Sequence, residues 1–273
     1  MAGRKDLERQ QRRWADAAGI EYDARGYVRD LDANLRVPLD AVARADIERG
    51  SELAPTPTRP GRLWSLTSSA ALVVNVFDYW RGHDTAPLAE ALGLPEGSPQ
   101  IRYEEPLPTG LEGDPPTTDV ALRWPSGRVA AIESKFGEWL VRRPRNKAVF
   151  KRKYFPPGGE VWSAAGLPRC QELAADIDSG RERFRWLHAA QLLKHALGLT
   201  RLGAPATTLV YLYYDWPSRE ATEHAAEIAR FARRVADDCD FRVLTYQALH
   251  AALAVGGTLD ARYRAYLAQR YFR

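Results

Sequence analysis

A predicted β-hairpin at residues 117–136 constrains the fold of this chain more than any other segment. The runs TTDVALRW and RVAAIESKF are largely apolar, and Pro125, Ser126 and Gly127, which are typical turn residues, separate them. Two strand-like runs joined by so short a connection pair antiparallel. The segment therefore predicts two neighbouring strands of a sheet.

Three charged residues interrupt this apolar hairpin. Side chains alternate along a strand, so Glu133 and Lys135 share the face of Val129 and Ala131. The turn brings Asp119 back opposite the region around Glu133, so two carboxylates and an ammonium converge. Carboxylates that close raise each other's pKa. A divalent cation relieves the conflict, and oxygen ligands of this kind suit Mg²⁺.

The same residues have a simpler interpretation, because an acid followed two positions later by lysine is a common pattern. Asp119, Glu133 and Lys135 could form a solvated salt-bridge ladder across an exposed hairpin. A metal-dependent phosphodiesterase, however, needs such a set: carboxylates for the metal, and an ammonium for the attacking water or the phosphate. The apolar surroundings of Glu133 and Lys135 favour this catalytic interpretation.

The rest of the chain predicts a mixed α/β protein in which helices flank a central sheet. Residues 1–62 are interpreted as an N-terminal helical extension with a proline-rich linker, and residues 63–273 as the main domain with helices at its C-terminal end. The predicted helices are DLERQQRRWADAAG, LDAVARADIERG, LTSSAALVVNVFDYW, residues 167–178, residues 182–199 and SREATEHAAEIARFARRVADD, with two more at the end of the chain. The predicted strands outside the hairpin are QIRYEEPL, ATTLVYLYYDW and FRVLTY.

Composition places the chain among ordinary globular proteins. The 273 residues carry a formal charge of +4, which is compatible with a polyanionic partner but too small to identify one. With only two cysteines and no CxxC motif, a zinc site or a disulfide framework is not expected. No apolar run approaches the length of a membrane span, and the first residues do not resemble a signal peptide. A soluble cytoplasmic protein is the expectation.

A basic run, RRPRNKAVFKRK at residues 142–153, begins soon after the hairpin. Basic side chains beside a phosphodiesterase site would neutralise backbone phosphates. A solvated loop is the alternative. The candidate DNA contacts in this run are Arg142, Arg143, Arg145, Lys147, Lys151, Arg152 and Lys153.

The order of elements, together with Asp119 and the Glu133-Ser134-Lys135 strand, resembles the PD-(D/E)xK nuclease superfamily. Over residues 65–215, the segments YEEPLPTGLEGDPPTTDVAL, AIESKF, GLPRCQELAADI and AAQLLKHALGL resemble a bacterial family described as restriction endonucleases. The resemblance implies a restriction-endonuclease-like αβββαβ core and hydrolysis of DNA phosphodiester bonds, in restriction, defence or DNA processing. It also implies Mg²⁺, which Mn²⁺ could replace. In one departure, Thr118 stands where the superfamily has proline.

The resemblance assigns roles to several residues. It implies Asp119 and Glu133 as metal ligands, Lys135 as the catalytic lysine, and the backbone carbonyl of Ser134 as a further ligand. Glu104 looks like the family's additional acid, although a solvent-facing glutamate on an edge strand is an equal alternative.

The resemblance also points to a helix near the site. Gln191 and His195 lie four residues apart, on one face of that helix, and Gln191 is expected to support the metal-bound water or a phosphate. The alternative is a helix whose polar face carries both by chance. Because many double-strand cutters pair two active sites, a homodimer is a further expectation. Two other functions use the same fold: a nucleic-acid-binding protein without catalysis, and a nuclease acting on RNA or structured DNA.

Overall fold

The computed structural model describes residues 2–141, 150–255 and 260–272. Its centre is a five-stranded mixed sheet whose spatial order follows the chain. The first three strands pair antiparallel, and the last three pair parallel. The predicted hairpin and the mixed α/β class are confirmed. The strands are β1 Gln100–Pro106, β2 Thr117–Arg123, β3 Val129–Lys135, β4 Thr207–Tyr213 and β5 Asp240–Thr245.

Helices precede, connect and follow the strands. The side chain of Ser68 caps the N-terminus of α3, where Ala71 N donates to its Oγ at 3.1 Å, and Ser218 caps α7 in the same way. Within the described ranges, no helix combines the length and the apolar character that crossing a membrane requires. The helices are α1 Ala2–Ala17, α2 Ala41–Arg49, α3 Ser69–Arg81, α4 Ala86–Ala91, α5 Pro168–Asp178, α6 Ala189–Arg201, α7 Arg219–Val235, α8 Tyr246–Val255 and α9 Ala261–Arg270.

Helix α6 begins later than the sequence predicts. A helix was expected over residues 182–199, but the helical conformation starts at Ala189. The carboxylate of Glu227 accepts hydrogen bonds from the backbone N–H groups of Arg185, Trp186 and Leu187 at 2.7, 2.9 and 2.9 Å. The acceptor lies on a distant helix, α7, and satisfies the N–H groups of the irregular segment before α6. No helical turn is therefore needed there.

The sheet is covered on both faces by apolar side chains. Ala130, Ile132 and Phe136 of the β3 segment belong to one core, which also contains residues of α3, α8 and α9. Val129 and Ala131 face the opposite core, which contains residues of α5, α6 and α7. The alternation predicted for β3 is therefore confirmed, and Glu133 and Lys135 continue the face that carries α6.

The N-terminal region packs into the same body as the sheet. Leu7, Leu31 and Ile47 share a core with α3, although the boundary predicted at residue 62 stays a prediction. Arg270, which is fully buried, donates to the backbone and side-chain oxygens of Asn34, both at 2.6 Å. Its guanidinium also lies 4.0 Å from the centre of the Trp14 ring. One buried cation thus joins the last helix to the first residues.

Candidate active site

Three acidic residues lie in a row across the first three strands. Val120 pairs with Ile132, so the next positions along β2 and β3, Asp119 and Glu133, stand opposite each other. Between β1 and β2, the flanking pairs place Glu104 opposite Asp119. We call Glu104, Asp119 and Glu133 the acidic row. It occupies the edge of the sheet where β2 begins and β1 and β3 end.

Each of two carboxylates in the row already has partners. Asp119 accepts a hydrogen bond from the backbone N–H of Ser134 at 2.6 Å. Glu133, which is 1% exposed, forms an ion pair with Lys135, and its other oxygen lies 3.3 Å from Nδ1 of His195. The hydroxyl of Ser134 bonds Tyr246 at 2.6 Å on the opposite face. Buried charges and short hydrogen bonds therefore fix the end of β3.

The pKa values in the row reflect burial and crowding. Burial, reinforced by Asp119, raises the pKa of Glu104 to about 9. Burial and then the charge of Glu133 raise the pKa of Asp119 to about 7, against the opposing effects of Lys135 and the Ser134 N–H. Burial alone would lower the pKa of Lys135, but the neighbouring carboxylates outweigh it and raise that pKa. The row is thus a place where negative charge is crowded and a cation is favoured.

Glu104 has an unusual backbone for a strand residue. Its φ angle is +44°, a left-handed conformation that costs a residue with a side chain of order 1 kcal/mol or more. Its side chain is 6% exposed and packs against Gly50, the residue that ends α2. Its neighbour Glu105 points elsewhere and pairs with Arg123 at 2.6 Å. Of the two adjacent glutamates, the structure therefore brings Glu104 to the row.

Two acids outside the predicted set also lie near the row. Glu52, 9% exposed, pairs with Arg62 at 2.5 Å, and burial raises its pKa to about 7 even though Arg62 opposes the shift. The carboxylate of Glu138 accepts from the N–H groups of Phe136 and Gly137 at 2.8 and 3.0 Å. No sequence motif marks Glu52, which follows α2 in a region where no chemistry was expected. Glu138 was noticeable only as an acid just past Lys135.

Helix α6 brings one of its two candidate residues to the row. His195 is fully buried and contacts Glu133, and burial followed by the charge of Lys135 lowers its pKa to about 3. The imidazole is therefore neutral at physiological pH. Gln191, half-buried one turn earlier, bonds His188 at 2.6 Å through its side-chain oxygen. Its predicted support of a metal-bound water stays a prediction.

The basic run is only partly described. Arg142, Arg143, Arg145 and Lys147 lie outside the described residues. Lys151 and Arg152 are exposed. The ammonium of Lys153 donates to the backbone oxygens of Glu112 and Asp114, in the loop that leads into β2 and Asp119. The described end of the run thus lies beside the loop before the row.

The donor set suits a hard cation by its chemistry. Asp119 and Glu133 supply carboxylate oxygens, which are the ligands that Mg²⁺ prefers. In the part of the chain that the structure describes, no three His, Cys, Asp or Glu side chains are gathered closely enough to hold an ion as they stand. Two carboxylates completed by waters would satisfy Mg²⁺, which usually keeps several waters.

Comparison with known proteins agrees with this architecture. No curated protein and no solved structure matched the chain. A family model described as "Restriction Endonuclease associating with ARP" matches residues 6–272. The five-stranded mixed sheet between helices is consistent with a restriction-endonuclease-like fold. Because the match covers nearly the whole sequence, the chain belongs to this restriction-endonuclease family, REase-ARP.

Proposed function

We propose that the protein is a Mg²⁺-dependent endonuclease that hydrolyses DNA phosphodiester bonds. Membership of a restriction-endonuclease family points to a nuclease. The observation that carries the finer proposal is the acidic row with Lys135 at its side, at one edge of the sheet. A salt-bridge ladder on an exposed hairpin would not bury Glu133 to 1% exposure.

Each residue of the site has its own proposed role. Asp119 and Glu133 would hold Mg²⁺, and Glu104 would add a third carboxylate from β1. A bound Mg²⁺ polarises the phosphate and lowers the pKa of its water. Lys135 cannot bind a cation, so its ammonium would orient the attacking water or neutralise charge that develops on the phosphate. Lys135 also forms an ion pair with Glu133, which keeps its ammonium beside the proposed metal ligands.

DNA is the proposed substrate because the family description names restriction endonucleases. The basic run at residues 142–153 would hold the phosphates on either side of the cut, since its described end lies beside the loop before Asp119. Cleavage of both strands would require two sites, so a homodimer is part of the proposal. We also propose a cytoplasmic location, because the enzyme would meet its DNA substrates there.

A cleavage assay tests the proposal. Purified protein is incubated with supercoiled plasmid, single-stranded DNA and RNA, each with Mg²⁺ or with EDTA. We expect the wild-type protein to produce nicked or linear plasmid with Mg²⁺ but not with EDTA. Asp119→Asn should produce neither form with Mg²⁺. Glu105→Gln is the matched control, because Glu105 is adjacent to the row but pairs with Arg123. DNA binding without cleavage under any metal would contradict the proposal, and cleavage of RNA alone would replace its substrate.

A further inference from the structure

A cleft of about 220 Å³ lies next to the acidic row. Its wall includes Gly137 and Glu138, which follow Lys135 by two and three residues. It also includes Glu52, whose carboxyl group lies within electrostatic range of Asp119 and Lys135. Whatever occupies this cleft therefore sits close to the bond that the proposed enzyme would cut.

The charges in the cleft are of both signs. Arg4 pairs with Glu8 at 3.2 Å, and Arg62 pairs with Glu52 at 2.5 Å. A free phosphate would meet the carboxylates, and a metal ion would meet the guanidinium groups. The lining thus favours a ligand without net charge that both donates and accepts hydrogen bonds.

Neutral groups of the lining fit the same kind of ligand. Hydroxyl groups of Ser65, Thr67 and Ser69 can donate or accept hydrogen bonds. Leu7 and the half-buried ring of Tyr27 supply an apolar and an aromatic surface. Pockets for drug-sized ligands span about 300 to 1,000 Å³, so this cleft suits something smaller, of the size of one flat heterocycle.

We infer that the cleft accepts a single unpaired nucleobase of the DNA substrate, next to the phosphate that is cut. This inference rests on the proposed function. A nucleobase is neutral, carries donors and acceptors on its edge, and has faces that stack on aromatic side chains. Because the cleft admits one base and not a base pair, the nucleotide must leave the duplex to enter it. DNA in which that nucleotide is already unpaired avoids the cost of unstacking it.

Binding measured without cleavage tests the inference. An end-labelled paired duplex and the same duplex with one extra unpaired nucleotide are titrated with protein in EDTA, and fluorescence anisotropy is recorded. We expect the wild-type protein to bind the second DNA at least about tenfold more tightly. Thr67→Phe and Ser69→Leu, which fill the cleft from two positions, should remove this preference and keep the affinity for the paired duplex.

A bulky substitution elsewhere controls for nonspecific effects. Ala226 lines a different surface pocket, so Ala226→Phe should keep the preference. Any one of three results would overturn the inference. The first is that the wild-type protein binds both DNAs with equal affinity. The others are that both filled variants keep the full preference, or that both lose the same affinity for each DNA. If the wild-type protein cleaves plasmid with Mg²⁺ but binds both DNAs equally, only the inference about the cleft is wrong. If the protein prefers the DNA with the unpaired nucleotide but cleaves no DNA with any metal, only the proposed function is wrong.

Discussion

The carboxylate of Glu104 occupies the space that a β-carbon on Gly50 would need. Gly50 ends α2 with a φ of −76°, which any residue can adopt, so its lack of a side chain is required by contact and not by backbone conformation. The end of α2 therefore holds Glu104 in the acidic row. Asp46, in the same helix, strengthens this arrangement by pairing with Arg102 of β1 at 2.6 Å.

Gly50→Ala should displace Glu104 and destabilise the protein by about 1–3 kcal/mol, the usual cost of overpacking. Gly82 is a matched control, because it also ends a helix at negative φ and a β-carbon there would meet nothing within 4 Å. Gly82→Ala should stay within about 0.5 kcal/mol of wild type. Urea denaturation of both variants measures the difference. Adding Glu104→Ala to Gly50→Ala should recover part of the loss, and additive costs would show that the two residues do not compete for space.

Asp119→Asn and Glu133→Gln should each lose Mg²⁺ binding and reduce cleavage at least about 100-fold, because each removes a proposed ligand. Lys135→Ala should reduce cleavage similarly, by about 100- to 1,000-fold, but keep much of the affinity for Mg²⁺. Calorimetric titration with Mg²⁺ and a plasmid-nicking assay separate the two classes. Melting curves are needed alongside, because Lys135→Ala leaves Glu133 buried without its ammonium. Variants that all nick plasmid at the wild-type rate would restore the salt-bridge interpretation.

The metal-free protein should lose stability as the pH rises. The folded-state pKa values of Asp119 and Glu104, about 7 and about 9, lie above their ordinary values. A raised carboxyl pKa stabilises the fold fully below the ordinary value near 4, and this contribution is lost as the pH rises through the folded pKa. The melting temperature of Glu104→Gln, relative to that of wild type, should therefore rise between about pH 5 and pH 9 when both are measured in EDTA. A constant difference across that range would contradict the buried, crowded state of Glu104.

Replacing Arg142, Arg143 and Arg145 with alanine should weaken DNA binding. Each lost phosphate contact should lower the slope of log affinity against log salt by about 0.9. Binding isotherms at several salt concentrations give this slope. Arg262→Ala with Arg264→Ala, at two exposed positions of α9, should leave it unchanged. If the triple variant and this control have the same slope as wild type, the basic run is a solvated loop.

Gln191→Ala should reduce cleavage by about 10- to 100-fold, the usual cost of removing a residue that supports a metal site from outside. The melting temperature should stay nearly the same, because Gln191 is only half-buried and bonds His188 at the start of its own helix. Specific activity and melting curves are measured on the same preparation. A large loss of stability with normal activity per folded molecule would make Gln191 a packing residue.

The sequence predicts the parts of the site that depend on local periodicity. The distance of Asp119 from Glu133 and Lys135 follows from strand alternation and a short turn, and these determine the register of β2 and β3. Glu104 is harder to place, because a connection from 107 to 116 separates its strand from β2. Its positive φ also departs from simple alternation.

The residues that the sequence does not predict depend on distant packing. Glu52 and Arg62, which follow α2, reach the row because α2 packs on β1, and no short motif encodes that contact. The start of α6 is likewise decided by Glu227, which is 40 residues away from the Leu187 N–H that it binds. In the second case, a carboxylate far along the chain overrides the local helical pattern.

The contact between Arg270 and Asn34 gives the order of synthesis a role in folding. These residues are 236 positions apart. At about 5–20 residues per second, a ribosome needs roughly 10–50 s to make the intervening chain. During that time α1 and the segment around Asn34 lack the cation that unites them with the last helix. This buried contact between the segment around Asn34 and α9 therefore cannot form until residue 270 has been synthesised.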